Sequence, residues 1–135
     1  MQLQWHGKEL IDTSAQSTSS TSQRVVARMT NNSLEYAGHN YELNIQRIPR
    51  LRVYSSLGAA ATGFSTTQVE IQAAGTYYQA TKRGHRRALL AAGVACGQID
   101  LRTKQGQFPD SMPETAQVWV MVVCYIVDFN LQLRY

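Results

Sequence analysis

From Gln117 to Arg134 the chain runs eighteen residues without a glycine or a proline, and no other stretch limits the possible folds so strongly. Trp119, Met121, Val123, Tyr125, Val127, Phe129, Leu131 and Leu133 occupy alternate positions. Between them lie Val118, Val120, Val122, Cys124 and Ile126, then Asp128, Asn130, Gln132 and Arg134. A strand sends successive side chains to opposite faces, so this pattern predicts a strand covered on both faces at first and on one face later. At ~3.3 Å per residue it would reach about 60 Å, several times an ordinary strand. It must bend or extend past its own domain, which makes Phe129, Leu131 and Leu133 candidates for contact with a neighbouring subunit.

The remainder reads mostly as short strands. Gln2–Asp12 predicts a hairpin turning at His6-Gly7, because a tight turn needs a residue tolerant of positive φ. Thr13–Ser22 (TSAQSTSSTS) has no charge and no large apolar group and is expected to be a flexible loop. Gln23–Thr30 is strand-like. Leu34–Ile48 predicts a second hairpin around Ala37-Gly38-His39-Asn40, ended by Pro49. Leu51–Ser55 and Thr66–Ala73 alternate, and the small residues of Leu57–Phe64 predict a loop. Tyr77–Cys96 differs: it is rich in Ala and Leu, with Ala80, Gly84, Ala88, Ala91 and Ala95 three or four apart. That spacing predicts the chain's main helix, with Gly97 as its cap. The expected fold is α+β: one domain over residues 1–135, with an antiparallel sheet of about five to seven strands packed on a helix near residues 77–96, and a long C-terminal strand.

Charge is sparse. Charged residues make up 16% of the 135, and the net charge is +4 with arginine far outnumbering lysine. This excludes a charge-driven disordered chain, a coiled coil and a highly charged nucleic-acid tail. Two basic clusters stand out. Lys82, Arg83, Arg86 and Arg87 recur at four-residue spacing, where like charges on a helix repel unless an anion such as phosphate answers them. Arg47, Arg50 and Arg52 are interleaved with Tyr41 and Tyr54, a pattern suited to single-stranded nucleic acid or to a guarded sheet edge.

Motifs of catalysis are missing. No HExxH, GxSxG, GxGxxG or phosphate-loop sequence occurs, and the carboxylates are scattered. Cys96 and Cys124 lie in apolar runs outside any metal-ligand spacing. The reading is of a non-enzymatic chain with no catalytic residues, no cofactor and no metal. The first ten residues lack a signal-peptide core, and the longest apolar run, Val118–Val127, is too short for a membrane helix. No membrane partner is expected.

Low charge, many strands, an overlong strand and a Ser/Thr arm suit a repeating subunit whose strand edges are completed by neighbours. In size and composition the chain resembles small phage structural proteins. The expectation from the strand edges and the arm is a self-assembling homo-oligomeric particle, a viral or phage coat or tail component residing in the virion. The alternative is a cytoplasmic module, either binding RNA or DNA through the basic helix and the Arg-rich strands or inhibiting a nucleic-acid-handling machine.

Overall fold

A computed structural model of the chain describes residues 1–13, 24–30, 32–46, 50–63 and 67–129. The strands are β1 (Gln2–His6), β2 (Glu9–Asp12), β3 (Arg24–Thr30), β4 (Ser33–Tyr36), β5 (His39–Gln46) and β6 (Leu51–Ser55). They continue with β7 (Ala60–Gly63), β8 (Gln68–Ala73), β9 (Thr76–Arg83), β10 (Arg86–Ala91), β11 (Val94–Asp100) and β12 (Gln105–Gln107). Each pairs antiparallel with its sequence neighbours, and β12 pairs with β1 to close a barrel. Helix α1 (Glu114–Cys124) follows, ending in a π-helical turn, Tyr125–Phe129.

The expected α+β fold is therefore corrected: in place of a sheet of about five to seven strands packed on a helix, the described residues form a mostly β chain of twelve strands closed into a barrel, and two segments change type. Residues 77–96 form β9, β10 and the start of β11, not a helix. Gly84 and Gly93 are turn residues: Gly84 (φ 61°) opens the two-residue β9–β10 turn, and Gly93 (φ 79°) follows Ala92 (φ 51°) in the β10–β11 turn. On this wall inward Ala80 sits directly opposite inward Leu89, both against the lumen. Gly97 caps nothing. It lies within β11, where a Cβ would come 2.9 Å from the Phe108 ring.

The second correction concerns the C-terminus, where a helix replaces the long strand through Phe129. Val118, Trp119, Val120, Met121 and Val122 are all fully buried, so α1 is enclosed on every side. A helix surrounded by apolar groups loses its 3.6-residue signature, and its valines then imitate a strand. A lumen ringed by twelve strands is wider than inward side chains alone can fill, and α1 fills it. Burying each large aliphatic side chain there contributes about 1.5–3 kcal/mol.

Polar contacts seat the helix. Trp5 Nε1–H donates to the Met121 carbonyl at 2.9 Å, and Trp119 Nε1–H donates to the Ala60 carbonyl at 3.0 Å. Gly106 on β12 faces α1 so closely that a Cβ would lie 2.6 Å from Met121 Sδ. At its start Glu114 accepts from Arg24 and from the Tyr36 hydroxyl. Inside the π turn Asp128 meets Arg87 through two parallel bonds, Nε–Oδ2 at 2.7 Å and Nη2–Oδ1 at 3.1 Å. The outward positions of β9 and β12 are mainly polar, while the lumen is apolar. No helix among the described residues is long and apolar enough to cross a membrane.

Candidate nucleic-acid interface at one end of the barrel

An up-and-down barrel puts every turn that follows an odd-numbered strand at one end, here the near end. Turns after even-numbered strands lie at the far end, where α1 also enters. The two ends differ in chemistry.

Ala37-Gly38, Ala74-Gly75 and Ala92-Gly93 make three of the far-end turns, with φ of 54°, 51° and 51° at the alanines. Two-residue turns that twist with the strands require positive φ at both positions, which glycine accepts freely and alanine only with strain. The large apolar side chains most exposed to solvent, Val25, Tyr54, Tyr77 and Val94, all lie on the far half.

The near end is basic. All three lysines of the chain, Lys8, Lys82 and Lys104, lie there, with Arg83, Arg86 and Arg102. The turns that carry them are bonded into one rim. Leu101 N–H donates to the His85 carbonyl at 2.7 Å, Trp5 N–H to the Lys104 carbonyl at 3.1 Å, and Lys82 N–H to the Thr67 carbonyl at 2.7 Å. Lys104 Nζ also lies 5.8 Å from the Phe129 ring centroid, over the exit of the helix.

Few acids oppose this charge. Glu9 is held by Arg28. Asp100 accepts the backbone N–H groups of Arg102 (2.9 Å) and Thr103 (3.3 Å). Those bonds, helped by the charges of Arg86 and Arg102, hold its carboxyl below the usual range, so it stays ionised at neutral pH.

Most of the residues singled out from sequence can now be placed. Lys82, Arg83 and Arg86 come together at the β9–β10 tip, as strand residues rather than on a helix. Arg87, directly opposite half-buried Lys82, lies on the other face from Arg83 and Arg86. It is 1% exposed, and besides Asp128 its Nη1 donates to the Thr67 and Ala80 carbonyls at 3.2 and 3.3 Å. It anchors the helix and does not face solvent. Arg52 is exposed on β6 and Arg50 precedes that strand, so the second cluster falls at the same end as the first. Arg47, Leu131, Leu133 and most of the Ser/Thr-rich stretch lie outside the described residues. Phe129 is half-buried at the end of the helix.

Sequence reasoning missed Lys8, Arg102 and Lys104. The available signal was their position in turns after odd-numbered strands, visible only once the strands are counted correctly.

Other features lead elsewhere. A groove of about 640 Å³ on the far half is lined by both signs, and its Arg24 and Arg28 are already engaged by Glu114 and Glu9. Cys96 and Cys124 are free thiols. Burial pushes Cys96 up and Cys124 to about 12, the reverse of an activated nucleophile. No group of His, Cys, Asp and Glu that could hold a metal occurs among the described residues. Comparison of the chain with protein-family models, characterised proteins and solved structures finds no match.

Proposed function

We propose that the chain is a non-catalytic binding module whose basic near end holds the phosphate backbone of a nucleic acid. The supporting observation is the segregation of charge: Lys8, Lys82, Arg83, Arg86, Arg102 and Lys104 share one rim, with Asp100 the acid set among them. Spaced cationic tips around a rigid rim suit a chain of phosphates, which supply affinity without sequence information. A nucleic acid is favoured over a lipid surface because the exposed aromatic and apolar groups, which would anchor a protein in a bilayer interface, lie on the opposite half.

Fluorescence anisotropy with labelled single-stranded RNA and DNA tests this. Each phosphate contact adds about 0.7 to the slope of log affinity against log salt for single strands. Replacing Lys82, Arg83, Arg102 and Lys104 by Gln should flatten that slope by about 3. Wild-type protein that binds anionic vesicles but no nucleic acid would overturn the assignment.

A second reading, the self-assembling viral or phage subunit, no longer has the overlong strand, and the described strands close on one another. One observation still favours it: Ala88–Ile99 carries no charge, and Val94 and the neighbouring Tyr77 are exposed. Such a face can meet a copy of itself without repulsion. A large, uniform particle on size-exclusion chromatography would support this reading, and a monomer would reject it.

A further inference from the structure

Arg86 and Asp100 are directly opposed on β10 and β11, side by side on the outer face at the basic rim. Opposite charges so placed ordinarily pair across strands. Here the described ion pairs do not include them, although other outward charges at similar positions, such as Glu9 and Arg28, do pair. Between and beside them is a cleft of about 170 Å³, also lined by Gln98, Gln105 and Gln107. The amides are only loosely engaged: Gln98 Nε2 lies 3.4 Å from Gln107 Oε1, and Gln105 Nε2 lies 3.4 Å from Gln2 Oε1. Asp100 takes its two backbone donors on Oδ1, and the described hydrogen bonds do not use Oδ2.

We infer that this cleft seats a single unstacked guanine of the bound strand. The inference rests on the nucleic-acid reading above and adds base recognition to it. A guanidinium fork on one wall matches the acceptors O6 and N7. The carboxylate beside it, between Arg86 on β10 and Gln105 on β12, matches the donors N1–H and the 2-amino group, and only guanine among the bases offers those two pairs together. The amides satisfy the remaining edge, as expected where single-stranded bases are read outside a helix. The neighbouring rim residues place the base by holding its phosphates.

The test uses oligonucleotides of nine thymidines, with the central base replaced by G, A or C. Wild-type protein should bind the G-containing strand about tenfold tighter than the others. Asp100→Asn keeps an acceptor for the Arg102 and Thr103 N–H groups, so the turn should persist. It should erase the preference while binding of the all-T strand and its salt slope remain. Gln98→Ala with Gln105→Ala should reduce the preference and leave all-T affinity unchanged. Salt-dependent binding by wild type with equal affinity for all four strands would overturn the guanine seat and leave the phosphate reading intact. Wild type that binds none of them, nor the matching uridine strands, overturns both.

Discussion

Arg87 and Asp128 are 1% and 5% exposed and share two parallel hydrogen bonds inside the barrel. Removing one member of such a pair strands the other charge in the lumen, at about 3–5 kcal/mol. Arg87→Met keeps much of the side-chain volume and removes the guanidinium. Asp128→Leu removes the carboxylate, while the Thr67 and Ala80 carbonyls still accept from the guanidinium. Each single change should therefore cost about 3–5 kcal/mol, a large share of the roughly 5–15 kcal/mol that a domain has. At ~4 °C per kcal/mol this lowers the melting temperature by roughly 12–20 °C. The double variant replaces the pair with packed apolar groups, which is often neutral, so it should recover most of the loss. Urea unfolding followed by tryptophan fluorescence reports on the region directly, since Trp5 bonds to the helix and Trp119 lies within it. Single costs that simply add in the double variant would refute the argument that the pair anchors the helix.

Three further outcomes follow from the same structure. Gly106→Ala places a Cβ 2.6 Å from Met121 Sδ and 2.7 Å from the Phe108 ring, and should destabilise by about 1–3 kcal/mol in urea unfolding. Ala74→Asn puts a residue more tolerant of positive φ at a strained turn position and should stabilise by about 0.5–1 kcal/mol by the same measurement. Cys124 is raised from 9.0 to about 12 in the fold, so the unfolded chain ionises first as pH rises. Its contribution is intact below pH 9, and stability should fall above it by up to about 1.4 kcal/mol per pH unit, a loss that Cys124→Ala reduces in alkaline denaturation.

The sequence's hairpins were legible where turn chemistry was local. Gly7 and Ala37-Gly38 mark turns that the structure contains, and Gln68–Ala73 alternates as a wall strand should. What was not legible depends on enclosure. Val118–Val123 is apolar on every side because a barrel surrounds it, and a sequence that is apolar at every position has no period to distinguish helix from strand. The Ala-rich β10 and β11 were misread because pairing in the barrel wall outweighs helix propensity: Arg87 and Leu89 are the buried positions of β10, while Ala88 and Ala95 are exposed. β7 was lost in a run of small residues. The basic clusters were visible as composition, but Arg87 could not be separated from Arg86 without knowing that the segment is a strand, which turns neighbours to opposite faces.

Titrating isotopically labelled protein with a single-stranded oligonucleotide, and following its backbone amide resonances, tests the functional account most directly. Perturbations should concentrate at Lys8, at Lys82–Arg86 and at Leu101–Lys104, and fade with added salt. Perturbations centred on the far-end turns at Ala37-Gly38, Ala74-Gly75 and Ala92-Gly93, or none at saturating oligonucleotide, would contradict it.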